Sequence, residues 1–129
     1  MHVAKDDVDV QMEIPGATLR RRLGFGDASG FAQMSGEYFS LAKGVDTRPL
    51  FQGLDGNRCQ CPHWGYVLRG VLTTTDGAER EETVRAGDLF YWPAGHNVRV
   101  SEDAEIVMFS PQRQHTEVID HMREQVKRM

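Results

Sequence analysis

The sequence has no apolar run that approaches the roughly 18 residues of a membrane-spanning helix, which excludes a helical membrane protein. Its first residues are acidic where a secretory signal would be basic and then apolar, so a cytoplasmic chain is expected. Cysteine is scarce. Only Cys59 and Cys61 occur, a spacing that rarely suits a structural disulfide but lets two sulfurs approach one metal ion. Positive charge is not in excess either: 15 Lys and Arg stand against 19 Asp and Glu, scattered apart from Arg20-Arg21-Arg22 and the basic end of the tail. Neither nucleic acid nor a membrane is therefore an expected partner. No repeat or low-complexity segment occurs, and 129 residues suit one domain with one core.

What is present is an ordinary globular composition, 40% hydrophobic and 26% charged, arranged in short apolar runs between turn formers. That pattern predicts an all-β sandwich or barrel. Strands are expected at Glu37–Leu41, Gly65–Leu68, Val71–Thr75, Glu82–Val84, Leu89–Trp92, Asn97–Val100 and Glu105–Phe109, each rich in β-branched or aromatic residues. Asp76-Gly77 predicts a tight hairpin in which positive φ is supplied by the dipeptide. Residues 1–15 read as a mobile arm or edge segment, 16–112 as the barrel and 113–129 as a helix. In that helix Val118, Met122, Val126 and Met129 form an apolar stripe, with Ser110 as the expected cap and Pro111 in the first turn. The stripe would cover an open barrel edge or meet a second subunit, and the latter makes a homodimer an expected assembly.

The chemistry concentrates in Cys59-Gln-Cys-Pro-His-Trp-Gly-Tyr66, where Cys59, Cys61 and His63 alternate just before an apolar strand and so are expected on one face. Thiolate and imidazole donors suit zinc first, and also accept iron, nickel, cobalt or copper. One strand cannot complete a site, and His96, after the Pro93-Ala94-Gly95 turn, is the expected donor from a second strand. By strand parity Trp64 and Tyr66 face outward, Tyr91 is the pocket candidate for moving a proton, and Gly65 leaves room beside the metal. His2, His115 and His121 read as solvent-exposed.

Gly87-Asp-Leu-Phe-Tyr-Trp-Pro-Ala-Gly95 matches the opening of the second cupin motif, and Tyr66–Gly70 matches the end of the first, with the Asp76-Gly77 hairpin between them. Over about Leu50 to Pro111 the chain thus resembles the cupins. Its segments look similar to those of a subset of small bacterial members with a C-x-C-P-H-W-G-Y-V stretch and a P-x-G-H ending. The resemblance implies a cupin jelly-roll β-barrel with a C-terminal α-helix and a metal site. The ligands depart from the common pattern, since His63 stands where a Glu is usual, Cys59 falls near the usual second His with Cys61 between the two, and His96 precedes the usual His position, here Val98.

Two functions follow. A metal-dependent enzyme acting on a small organic molecule by isomerase, cyclase, lyase or oxygenase-type chemistry would keep one coordination position open, with three protein ligands. A non-catalytic zinc or small-ligand module would close a tetrahedral site with Cys59, Cys61, His63 and His96. A chain with no second domain to receive a signal leans the expectation toward catalysis.

Overall fold

The computed structural model describes residues 1–129. Its seven strands are β1 (Val10–Ile14), β2 (Ala17–Arg22), β3 (Met34–Leu41), β4 (His63–Thr75), β5 (Glu81–Arg85), β6 (Leu89–Trp92) and β7 (Asn97–Pro111), with a short helix α1 (Arg48–Phe51) and a terminal helix α2 (Gln112–Lys127). All pairings are antiparallel, in the order β1-β2-β3-β7-β4-β5, and β6 pairs with β4 on the same edge as β5. The architecture is an all-β barrel of the jelly-roll type with a C-terminal helix, as the sequence predicts.

Two long strands organise it. What reads in the sequence as four short strands is two: β4 fuses the runs at Gly65 and Val71, and β7 those at Asn97 and Glu105. They pair from Trp64↔Phe109 to Thr75↔Asn97, with register shifts between Val67 and Leu72. Bulges there bend the strands, so the first half of β4 pairs with β6 and the second with β5. Gly70 lies in the bend at φ +91°, where an added Cβ would meet the Asp103 carbonyl at 2.3 Å and the Ala104 Cα at 2.5 Å.

Strand alternation sorts the side chains. Leu19, Phe39, Val67, Leu72, Val100, Ile106 and Met108 are buried in the core. The first 15 residues include an edge strand, β1, with Val8 and Met12 buried. β2 was not among the expected strands, because its three consecutive arginines hide a period of two.

In α2 the inward stripe is His115, Val118, Ile119 and Met122, at spacings of three and four. It packs on the barrel and α1, so it is not free to meet a second subunit. No side chain caps this helix, and the Ser110 hydroxyl expected to do so is engaged in the interior. No helix is long and apolar enough to cross a membrane.

The β4–β5 hairpin also differs in detail. Glu79 N–H closes the turn onto the Asp76 carbonyl, Asp76 Oδ1 accepts from Ala78 and Arg80 N–H, and the positive φ falls on Glu79 at 60° rather than on Gly77. The turn is held by the aspartate side chain. Gly77 meets nothing within 4 Å. Gly77→Ala should therefore leave the melting temperature within a degree or two of wild type, whereas Gly70→Ala should destabilise by about 2 kcal/mol or more. Thermal unfolding of the two variants checks this, and equal effects would contradict it.

Candidate metal centre

Cys59 lies ahead of β4 in an isolated bridge with His96: its N–H donates to the His96 carbonyl at 2.9 Å and its own carbonyl accepts from Gly95 N–H at 2.7 Å. The Pro93–Gly95 turn, with Gly95 at φ +94°, thus fixes both residues at once. His63 opens β4 directly opposite Trp92 of β6, and its Nε2 stands 3.6 Å from Cys59 Sγ. One donor atom from each of Cys59, His63 and His96 lies within 4.8 Å of the other two, and all three residues are buried.

The orientation of both rings is set from behind. His96 Nδ1 is 2.8 Å from the Pro93 carbonyl, which can only accept, so Nδ1 carries the proton and Nε2 a lone pair. His63 Nδ1 is 2.7 Å from Ser110 Oγ, and that hydroxyl donates its single proton to Glu37 Oε1 at 2.6 Å. Ser110 must then accept from His63 Nδ1–H, which again leaves Nε2 free to bind.

Glu37 is 1% exposed and anchors this shell. Its Oε2 accepts from Arg21 Nε at 2.9 Å, Ser35 Oγ at 3.0 Å and His115 Nδ1 at 2.5 Å. Burial alone would raise its pKa; His115, Ser110 and Arg21 outweigh burial and hold it below the ordinary carboxylate value. The donors themselves are shifted mainly by burial. The Cys59 thiol is pushed up to about 12, His96 is brought down to about 4, and His63 falls well below the ordinary imidazole value.

Three of the four expected ligands are brought together and one is not. Residues 59–62 are irregular rather than extended, so alternation does not hold there, and the Cys61 S–H turns toward the Pro62 and Pro111 carbonyls at 3.4 and 3.8 Å. Tyr91 is a correction too: it is 51% exposed on the outer face, stacked on Trp64 at 5.3 Å, and does not line the interior. Trp64 and Tyr66 are outside, as parity predicts. Gly65 makes room for Phe90 and the Val107 carbonyl, each within 2.4 Å of an added Cβ, not for a metal. His115, expected in solvent, is buried against Glu37, and the half-buried His121 donates from Nε2 to the Gln52 carbonyl. Arg21, Glu37, Ser110 and His115 were not among the sequence candidates. His115 lies on the same helical stripe as Val118 and Met122, and Glu37 alternates with the core residue Phe39, which are the signals that mark them.

Beside the donors is a cavity of about 50 Å3, walled mainly by apolar side chains such as Phe39 and Met108, with Thr47, Cys59, His63, His96, Trp92 and His115 as its members that carry polar atoms. It holds a few waters or a ligand fragment of a few atoms. Trp92 Nε1 is buried without a hydrogen-bond partner in the protein.

No protein-family model matches the chain, and no curated protein matches it by sequence. Solved structures do match it. The polyketide cyclase RemF from Streptomyces resistomycificus superposes at a TM-score of 0.58 with 19% identity, covering 86% of this chain and 78% of that one. A putative ethanolamine utilization protein Q from Salmonella typhimurium gives 0.58 with 14% identity, over 84% and 83%. The oxalate decarboxylase of Bacillus subtilis, a protein with Mn(II) centres, gives 0.55 with 20% identity over 82% of this chain, which spans 28% of the decarboxylase. These are cupin-fold proteins, and the likeness establishes that fold for this chain.

The shifted donors predict how metal affinity depends on pH. Between pH 6 and 8 both imidazoles are already neutral and the thiol is still protonated, so a bound divalent ion displaces one proton, from Cys59. Zinc affinity, measured against a competing chelator at pH 6, 7 and 8, should rise about tenfold per unit. A slope near zero would remove Cys59 from the site, and a slope of two or more would mean charged imidazoles in the free protein.

Proposed function

We propose that this protein is a metal-dependent enzyme acting on a small, largely apolar organic molecule that carries an oxygen acceptor. The observation that carries the reading is the juxtaposition of three clustered donors, Cys59, His63 and His96, with an apolar cavity whose Trp92 N–H has no protein partner. The donor set fits a divalent ion. One sulfur and two imidazole nitrogens suit zinc foremost, and iron, nickel, cobalt or copper as well.

When bound, such an ion supplies a Lewis acid at the cavity wall. The apolar walls exclude bulk water, which strengthens every polar contact within. Trp92 donates its N–H to the substrate oxygen and so orients the molecule. With Tyr91 on the outer surface, the proton-moving role falls to His115, which lines the cavity and whose Nδ1–H is fixed by Glu37. Cyclase, decarboxylase and synthase chemistry all occur on cupin neighbours, and the range of reactions compatible with this site is equally wide. The closed four-ligand zinc module is disfavoured by the direction of Cys61.

Cys59→Ala, His63→Ala and His96→Ala should each lose most of the metal found in protein purified without added metal, whereas Cys61→Ala should keep about one equivalent. In the cobalt-substituted protein, adding acetate as an oxygen-donor probe should change the visible absorption, because one position is open, and Trp92→Phe should weaken that response by about tenfold, the worth of one hydrogen bond. A cobalt spectrum indifferent to acetate, together with metal loss on Cys61→Ala, would establish the closed module and defeat the enzyme reading.

A further inference from the structure

The face of the sheet that points away from the metal site is as distinctive as the one that points toward it. Residues directly opposite one another on antiparallel strands share a face. Trp64 lies opposite Tyr91 on one side and Phe109 on the other, and Tyr66 lies opposite Leu89 and Val107 in the same way. Two rows, Tyr91–Trp64–Phe109 and Leu89–Tyr66–Val107, therefore form one continuous outer surface across β6, β4 and β7, and Leu68 extends it. Trp64 stacks on Tyr91, and Phe109 rests on Phe25 at 6.1 Å. Leu89 is 84% exposed, and Trp64, Tyr66, Leu68, Tyr91 and Phe109 are 41–51% exposed. Neither row contains a charged side chain. Charges stand at its margin: Lys5 and Arg69 pair with Glu105, and the exposed Arg22 follows Gly36 at the end of the Phe109 row.

We propose that this face is the interface of a homodimer, in which two copies pack sheet against sheet about a twofold axis. The size of the surface favours a second copy. At roughly 200 Å2 per large apolar side chain, the exposed parts of these six residues amount to about 600 Å2, the upper end of what monomers tolerate. A standard interface buries about 800 Å2 per partner, so a rim containing Tyr38, Val107 and the paired charges completes it. Aromatic residues at the centre and charges at the edge are the arrangement interfaces use. The stripe of α2, the other apolar surface of the chain, is already covered by the barrel. The dimer also bears on the interior, since β4 and β6 place Trp64 and Tyr91 outside in direct sequence with His63 and Trp92 inside.

The experiment is sedimentation velocity on the full chain from about 1 to 100 μM, with and without zinc. A mass of twice 14.6 kDa is expected in both conditions, so the outcome does not depend on the metal reading. Tyr66→Glu combined with Leu89→Glu should weaken association at least 100-fold while leaving far-UV circular dichroism and bound metal unchanged, and Glu117→Ala on the outer face of α2 should remain dimeric. Should the double variant fail to fold, dilution of wild type decides: Trp64 emission must shift to the red as the mass halves, because Trp92 stays buried in either state. A monomer at 100 μM, a dimer that survives both glutamates, or dissociation without a change in Trp64 emission would overturn the assignment.

Discussion

A carboxylate withdrawn from water costs several kcal/mol unless its charge and lone pairs are met, and Glu37 meets that cost with four partners drawn from four elements. Arg21 comes from β2, Ser35 from β3 itself, Ser110 from the end of β7 and His115 from α2. Replacing the whole network with apolar groups need not destabilise the fold, but removing one member strands a buried charge at a cost of about 3–5 kcal/mol. The network therefore specifies arrangement more than it adds stability. It fixes how the terminal helix docks and which way the Ser110 hydroxyl points, and through Ser110 it fixes the proton on His63.

The same alternation that builds the barrel divides its labour. On β4 and β6 successive residues face opposite ways, so His63 and Trp92 enter the cavity while Trp64 and Tyr91 line the outside. A one-residue slip would exchange the two sets, placing two indole and phenol rings in the core and an imidazole in solvent. The bulges near Gly70 confine such a slip, because the bend lets the Asp103 and Ala104 backbone approach where only a glycine fits. Register, cavity and outer aromatic face are consequences of one constraint.

Much of this was legible in the sequence, for reasons that can be named. Period-two runs and regularly spaced turns gave the barrel, helical spacing gave α2, and the motif turns gave the neighbourhood of His63 and His96. Alternation does not carry across Cys59–Pro62, because the chain is irregular there and the Cys61 sulfur turns toward backbone carbonyls. Tyr91 faces outward because Trp92 is in register with His63 and Tyr91 with Trp64, a pairing that the sequence does not display. Glu37 and Arg21 were hidden because cross-strand pairing between residues 16 apart is a property of register, invisible until β2 and β3 are aligned. His115 was legible on its helical stripe, but a histidine beside polar neighbours reads as solvated unless a buried acceptor is known to wait for it.

The backing of the donors differs, and the difference has a consequence for how the site works. Each imidazole is supported by an acceptor that sets its tautomer, Pro93 for His96 and Ser110 for His63, so both lone pairs are in place before any ion arrives. Cys59 has no such support. Its thiol donates to the Cys61 carbonyl at 3.5 Å and is held protonated by burial, with no cation near enough to favour thiolate. Two donors are therefore preorganised and neutral, and the third is charged only by the metal itself. A divalent ion held by these three residues would meet two neutral imidazole lone pairs and would have to displace the thiol proton of Cys59. The net charge of the site with a divalent ion and one thiolate is positive, set against apolar walls and an uncommitted indole N–H. On the proposed reading, a cavity of that character would favour a ligand that brings electron-rich oxygen and little else, and the same few residues would serve substrate and metal alike.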